Sequence, residues 1–305
     1  MATNVLIIKL GATGDVVRTT PLLGQYAGEF TWLAEDKNIV LLQGLQENLS
    51  CIPWTKRHLL KGRRYDLAIN LEDQAEAAAL LDQIEFGQLW GAYADSTGRM
   101  HYTDDSKTWF DLSIISRHGK PKADKLKFRN RRTYQELIFE GLGLHFSEES
   151  YLLPTPAEID LSGDVALATE AGPVWPMKKW AFYDELKERL QGEGLTVNIL
   201  PKRSSLLEHL SDVQNHRCLV SGDTLPMHFA LGTGVPCVSL FTCTSPWEIY
   251  HYGVQKKIIS PLLEEFFYKR GYDGRATTAI SVEEVFDAVI TQLETVSSGR
   301  NQSAA

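Results

Sequence analysis

Short apolar runs alternate with amphipathic stretches along this chain, and the alternation occurs in two successive series. In the first series, strand patterns lie at 5–10, 30–34 and 65–71, each followed by glycine or acidic residues. Helical patterns lie at 74–84 and 133–144, and 86–95 fits a strand and a turn. Because strands that alternate with helices form parallel sheets, this series predicts an α/β domain.

The second series begins after residues 151–164, which contain two prolines, show little periodicity and predict a linker. Strand patterns follow at 164–172, 195–200, 217–223 and 236–241. Helical patterns lie at 182–194, 205–213, 226–234 and 282–296. We therefore predict one α/β domain at 1–155, a second at 156–296, and a disordered polar tail at 297–305.

Composition narrows the class of protein. The 305 residues are 43% hydrophobic and 23% charged, as in soluble globular proteins. The formal net charge of −8 argues against a general nucleic-acid-binding protein. The chain has no apolar run of about 20 residues and no export-signal pattern, so we predict a cytoplasmic location. The four cysteines lack zinc-ligand spacing and predict reduced, mostly buried thiols.

The first strand pattern ends in the turn Gly11-Ala12-Thr13-Gly14, which has two interpretations. It fits a dinucleotide-binding turn, because Glu35 and Asp36 follow the second strand, where a ribose-binding acid belongs. However, valine stands at 16 and 17, where the third glycine of that motif would be. Proline inside the helix that follows such a turn would cost about 3 kcal/mol, and Pro21 would fall there.

The second interpretation is a cleft loop that carries a base. We expect the loop to run from Gly11 to Thr19 and the helix to begin at Thr20, with Pro21 at its first position. Asp15 then lies at the tip of the loop, where its carboxylate would repel a pyrophosphate. A carboxylate in that place suits proton abstraction in a cleft.

A second motif, at 218–241, reads as strand, Gly-Asp-Thr turn, short helix and strand. The turn amides and the amino end of the helix at Pro226 direct unpaired N–H groups to one place, which suits a phosphate. Thr224 adds a hydroxyl, and His228 lies in the first helical turn. Asp223 would repel a phosphate, so we expect it to hold the turn by accepting backbone N–H bonds.

Together these motifs resemble glycosyltransferase family 9, the heptosyltransferases that build the lipopolysaccharide inner core. The opening matches the family's G-x-x-G-D-x-x-x-x-x-P pattern at Gly11, Gly14, Asp15 and Pro21. The second motif matches at Asp223, Thr224, His228, Ala230 and Pro236. Between them, "AGPVWPMKKW" resembles the family's glycine turn followed by K-x-W, at Gly172, Lys178 and Trp180.

The resemblance implies a GT-B fold, in which two Rossmann-like α/β domains face each other across a cleft and the C-terminal one holds most of the donor. The helix at 282–296 would pack back toward the N-terminal domain. The implied reaction is an inverting transfer from a nucleotide sugar, most often ADP-heptose, that needs neither a metal nor a cofactor. Asp15 would be the general base and Lys178 a donor-phosphate ligand. The donor site would also contain Gly172, Gly222, Asp223, Thr224 and His228, and the acceptor or cleft loop Gly14 and Arg18.

The chain also departs from the family pattern. Leu225 replaces a glycine of the second motif, which leaves the donor fit there open. Residues 200–210 stand where the family has a glycine turn and an acid near the nucleoside, so the base stays open. Residues 117–132 hold eight Lys and Arg against one Asp. This segment is either a solvated surface or a platform for an anionic acceptor or a peripheral contact with the inner membrane.

Two other functions stay open at this point. The first is an NAD(P)-dependent oxidoreductase or epimerase, although the chain has no Tyr-x-x-x-Lys pair of the short-chain type. The second is a non-catalytic sugar-nucleotide-binding protein, which Leu225 favours. For the transferase, the acceptor is a lipid-linked core sugar or another anionic glycan, a protein hydroxyl or a small molecule.

Overall fold

The computed structural model describes residues 3–112 and 118–302, with side chains described as far as 295. The chain forms two compact units, and the division falls between Pro154 and Thr155. The assignment of acceptor binding to the first and donor binding to the second stays a prediction.

The first unit is built on a six-stranded sheet with the order β3-β2-β1-β4-β5-β6. Its strands are β1 Thr3–Ile8, β2 Gly28–Ala34, β3 Leu49–Pro53, β4 Arg64–Asn70, β5 Glu85–Ala94 and β6 Met100–Tyr102. β1 to β5 pair in parallel, and β6 pairs antiparallel with β5. The sequence prediction of a strand and turn at 86–95 therefore corresponds to β5 and the start of this hairpin.

β1 is buried on both faces, which explains its unbroken apolar sequence. Val5 and Ile7 pack into one hydrophobic cluster, and Leu6 and Ile8 pack into another on the opposite face. The strand order reverses at β1, because β2 lies on one side of it and β4 on the other. The carboxyl ends of β1 and β4 therefore flank the crevice that an open parallel sheet leaves at such a reversal.

Helices cover both faces of this sheet. They are α1 Thr13–Thr19, α2 Ala75–Leu80, α3 Lys107–Phe110, α4 Lys120–Arg129 and α5 Tyr134–Gly141. The prediction of a loop from Gly11 to Thr19 was wrong, because α1 occupies most of it and places Asp15 in its first turn. Pro21 lies in the 3₁₀ helix Thr20–Gly24 that follows. The objection to proline inside the helix holds, since α1 ends before it.

The second unit has a five-stranded, fully parallel sheet with the order β11-β10-β9-β7-β8. Its strands are β7 Gly163–Ala168, β8 Val197–Ile199, β9 His216–Gly222, β10 Cys237–Phe241 and β11 Gln255–Ile259. Its helices are α6 Tyr183–Gly192, α7 Leu206–Gln214, α8 Leu225–Thr233, α9 Leu263–Phe266, α10 Gly274–Thr278 and α11 Val282–Gln302. The strand order reverses at β7, so the ends of β7 and β9 flank the crevice here.

α11 packs on the second sheet through Val285 and Val289, which are fully buried in the same cluster as Val238 of β10. The prediction that it also reaches the first domain stays a prediction. The helix continues to Gln302, past the predicted end at 296, because serine and glycine lower helix propensity without forbidding a helix. Of the predicted tail, 303–305 lie outside the described residues.

Three strands, β3, β6 and β11, have no counterpart in the sequence prediction. All three are edge strands, so one side of each has no neighbouring strand in its sheet. Edge strands tolerate proline and lysine, and these strands contain Pro53 and the pair Lys256-Lys257. The apolar pattern that reveals a central strand is therefore missing.

We predict that Thr133→Ala destabilises the first unit by about 1 kcal/mol. The Thr133 hydroxyl accepts the backbone N–H of Glu136 (3.2 Å), and the Glu136 carboxylate accepts the backbone N–H of Thr133 (2.6 Å), which caps α5. Urea unfolding measures the change. Thr108→Ala, at an exposed position of α3, is the matched control; equal losses in the two variants would contradict the cap.

Candidate functional site

A buried ion pair lies where the strand order of the first sheet reverses. Lys9 follows β1 and is 6% exposed, and its Nζ lies 2.8 Å from Oε1 of Glu72, which follows β4. The same carboxylate oxygen accepts the backbone N–H of Leu10 (2.7 Å). The pair therefore ties the ends of the two central strands together.

Asp15 faces two cations at this crevice. Its Oδ1 lies 2.9 Å from Nη2 of Arg18, and its Oδ2 lies 3.8 Å from Nζ of Lys9. The Arg18 guanidinium lies 3.8 Å over the ring of Tyr134 in α5, which fixes its plane. The Asp15 side chain is 33% exposed, so it is held in place and still reaches solvent. The structure thus brings together Asp15 and Arg18, two residues that the sequence analysis assigned to this site. Gly14, the third, precedes Asp15 in α1.

Lys9 is charged in this environment. Burial by itself would lower its pKa, but the carboxylates of Asp15 and Glu72 outweigh burial and hold the pKa above its ordinary value. Sequence reasoning missed Lys9, although a signal was present. A lysine inside the apolar run "LIIKL" indicates a buried cation, and such cations need a carboxylate partner.

A second ion pair lies at the corresponding place in the second sheet. Lys178 ends the 3₁₀ turn Pro176–Lys178 in the connection that follows β7. Its Nζ donates to Oδ2 (2.9 Å) and to the backbone carbonyl (2.6 Å) of Asp223, which follows β9. Gly222 is required here, since a Cβ at that position would come within 2.5 Å of the Lys178 carbonyl oxygen.

Asp223 is an ionised carboxylate. Burial would raise its pKa, but the Lys178 ammonium outweighs burial, and His228 and the Thr244 hydroxyl act in the same direction, so the pKa lies well below its usual value. We expected Asp223 to bind the backbone amides of its turn. The structure instead places the Lys178 ammonium on the carboxylate, because the connection after β7 brings that side chain across the turn.

Of the remaining predicted donor-site residues, Thr224 and His228 lie close to this pair, at the start of α8 and within it. Thr224 is the N-cap of α8, and its hydroxyl bonds with that of Ser221 (3.0 Å). His228 lies in α8 and is 5% exposed. Leu225, the departure from the family pattern, is the first residue of α8 and is half-buried. Gly172 is exposed, and a Cβ there would meet none of the described atoms within 4 Å.

Lys257 of β11 is a further charged residue that the sequence analysis missed. Its Nζ donates to the carbonyl oxygens of Pro246 (2.7 Å) and Ile249, and so ties down the connection after β10. Burial lowers the pKa of Lys257 to about 8, with an opposing effect from Asp223. No sequence signal identified it, since β11 itself was not predicted.

Within residues 3–112 and 118–302, no cluster of three or more His, Cys, Asp or Glu side chains is arranged to hold a metal ion. Across the same described ranges, none of the helices combines the length and apolarity needed to cross a membrane.

Comparison with known proteins finds a family match within the second unit. Residues 168–267, which include the Lys178–Asp223 pair, match the family model "Glycosyltransferase family 9 (heptosyltransferase)". The matched segment is about a third of the chain and resembles the glycosyltransferases of that family. The predicted resemblance is confirmed, and so is the predicted enzyme class, a glycosyltransferase. Comparison with curated proteins finds no match in sequence.

Solved structures share the fold of the whole chain. A glycosyltransferase family 9 protein from Veillonella parvula DSM 2008 aligns with a TM-score of 0.66 at 17% identity, over 96% of this chain and 97% of that one. E. coli heptosyltransferase WaaC aligns at 0.57 and 18% identity, over 93% and 99%. E. coli ADP-heptose lipopolysaccharide heptosyltransferase II aligns at 0.58 and 14%, over 96% and 99%. The predicted α/β GT-B fold class, with two Rossmann-like units, is confirmed.

We predict that Gly222→Ala destabilises the second unit by about 1–3 kcal/mol, because the added methyl group overlaps the Lys178 carbonyl and forces the backbone apart. Urea unfolding measures the loss. The matched control is Gly192→Ala at the end of α6, where a Cβ meets none of the described atoms within 4 Å. An unchanged stability in Gly222→Ala would show that the two segments do not need this close approach.

Proposed function

We propose that this glycosyltransferase moves heptose from ADP-heptose to an acceptor hydroxyl, with inversion and without a metal ion, in lipopolysaccharide biosynthesis. The observation that carries the proposal is the Lys178 ammonium, held by Asp223 beside the amino end of α8 inside the family 9 domain. Support for the donor comes from WaaC, whose structure contains ADP-2-deoxy-2-fluoro heptose.

The donor site suits a departing diphosphate. As the bond from the sugar to the diphosphate breaks, negative charge grows on the phosphate oxygens. Lys178 and the N–H groups that begin α8 are positioned before the reaction, so they stabilise this charge without reorganisation. Asp223 holds the ammonium in place, and the hydroxyl of Thr224 and the ring of His228 complete the polar surroundings.

Asp15 is the general base of this proposal. The acceptor oxygen attacks the anomeric carbon, and its proton passes to the Asp15 carboxylate. The new C–O bond forms while the bond to the diphosphate breaks, and the electron pair leaves with ADP. A single displacement inverts the anomeric configuration. Arg18 and Lys9 orient the Asp15 carboxylate, and general-base catalysis of this kind contributes about 10²- to 10⁴-fold.

The oxidoreductase alternative is not favoured. Val16 and Val17, which stand where a dinucleotide motif needs its third glycine, are 0% and 1% exposed and belong to the core. The crevice at the end of β1 also contains the carboxylates of Asp15 and Glu72, which would repel a pyrophosphate. Transfer of heptose from ADP-heptose by the unaltered protein would exclude the non-catalytic alternative.

The first experiment is calorimetric binding of ADP, UDP, GDP and NAD in EDTA. We expect ADP to bind most tightly, with equal affinity in Asp15→Asn and at least about tenfold weaker in Lys178→Met, which loses a charged hydrogen bond. Lys179→Met is the matched control, since that side chain is 53% exposed and pairs with Glu170. With ADP-heptose and acceptor, Asp15→Asn should lose about 10²- to 10⁴-fold in kcat.

Each contrary outcome has a meaning. Binding of NAD alone would overturn the transferase proposal in favour of the oxidoreductase. Binding of ADP without turnover in the unaltered protein would favour the non-catalytic protein. Full activity in Asp15→Asn would remove the base assignment and leave the donor site in place.

We further propose that α4 faces an anionic acceptor at the cytoplasmic side of the inner membrane. Lys122, Lys125 and Arg129 are exposed and follow a spacing of three and four residues, so they share one face of the helix. Such a cationic face binds anionic lipid surfaces with about 1 kcal/mol per residue.

We predict that replacing these three residues with Gln weakens sedimentation with phosphatidylglycerol vesicles at least about tenfold at low salt. Replacing the exposed Lys61, Arg63 and Arg64 with Gln is the control with equal charge change. Equal binding by both variants would contradict a role for α4. Retained vesicle binding with a raised KM for a phosphorylated, lipid-free acceptor would assign the surface to the acceptor instead.

A further inference from the structure

We propose that Lys9 is a positioning residue whose buried ammonium, fixed by Glu72, keeps the Asp15 carboxylate ionised and oriented for the acceptor proton. The inference rests on the proposed role of Asp15 as the base. Lys9 touches neither donor nor acceptor in this proposal and acts only through Asp15.

The two carboxylates lie at different distances from the ammonium. The Lys9 Nζ donates to Oε1 of Glu72 at 2.8 Å, whereas Oδ2 of Asp15 lies at 3.8 Å, beyond direct hydrogen bonding. At that distance the Coulomb attraction remains strong in a partly buried site. Lys9 therefore favours the ionised form of Asp15 without binding that oxygen directly.

Glu72 keeps the ammonium at this distance. Its carboxylate accepts from the Leu10 backbone N–H (2.7 Å), and its own N–H donates to the side-chain oxygen of Asn70 (3.1 Å). If Lys9 moved toward Asp15, Glu72 would lose its closest cation in a buried place, which is costly. The geometry of the three charges is thus set by the ends of β1 and β4 and by α1.

The other charged and titratable groups near Asp15 do not oppose the effect of Lys9 on its carboxylate. Arg18 binds the opposite oxygen, Oδ1. Tyr134 packs under Arg18, and burial raises its pKa to about 12, so it stays neutral. Glu35 lies against Gly11 and pairs with Lys37. Lys9 and Arg18 are thus cations that act on different oxygens of Asp15, and Glu72 restrains Lys9.

The test compares the pH profiles of kcat in Lys9→Met, Glu72→Gln and the double variant. Loss of the ammonium makes protonation of Asp15 easier, so we expect the acid limb to move up by about one pH unit in Lys9→Met. In the double variant it moves up by less, because the negative charge of Glu72 is removed as well. In Glu72→Gln, Lys9 is released toward Asp15 and the acid limb moves down. The double variant leaves no unpaired buried carboxylate, so it remains folded if Lys9→Met does not.

A second readout needs no activity. The ¹³C shift of the Asp15 carboxyl carbon, assigned with Asp15→Asn, titrates with a midpoint that we expect to rise in Lys9→Met and in the double variant. Lys107→Met, which removes an exposed lysine paired with Asp104, is the matched control and should leave both readouts unchanged.

The outcomes separate the two proposals. A purely structural Lys9 lowers stability or kcat equally at every pH and leaves both the acid limb and the titration midpoint in place, which overturns the inference. If Asp15→Asn is fully active while the midpoint still moves with Lys9, the base assignment fails and the electrostatic coupling stands. Shifts of the same sign in Lys9→Met and Glu72→Gln would also contradict the restraint by Glu72.

Discussion

Parallel strand pairing in two sheets is the constraint on which the rest of this structure depends. Each sheet has a central strand, β1 or β7, that is followed along the chain by its neighbour on one side and later by its neighbour on the other. At that reversal the connections leave in opposite directions over the sheet, so the carboxyl ends of two strands remain uncovered. The residues that we propose for the base and for the donor site lie at these two places.

The same electrostatic arrangement occurs at each reversal. In the first unit, Lys9 after β1 binds Glu72 after β4; in the second, Lys178 after β7 binds Asp223 after β9. In each case a cation from the central strand's connection meets an acid that follows the neighbouring strand. The pairs differ in burial, with side-chain exposures of 7% and 8% in the first and 16% and 14% in the second. The more accessible lysine suits contact with a ligand, and the less accessible one suits an indirect role.

The motifs were predictable because they combine local geometry with chemistry. Glycine or proline turns that follow strands lie close to the motif residues Asp15, Lys178, Asp223 and His228. Such turns can be recognised in a single sequence. The start of α1 was not predictable from the sequence. This helix has only seven residues and gains its stability from the burial of Val16 and Val17 rather than from helix propensity. The edge strands β3, β6 and β11 were not predicted for the related reason that half-exposed strands lack an apolar pattern.

The sequence by itself determined the α/β class, the two series of strands and the residue types of the two motifs that we propose for the base and for the donor site. These features depend on contacts between residues close together in the chain, or on the periodicity of burial. Only the tertiary structure decided which charges meet. Lys9 and Glu72 are 63 residues apart, and Lys178 and Asp223 are 45 apart. Such pairs depend on strand order and register, because the sheet, and not the local sequence, brings the ends of distant strands together.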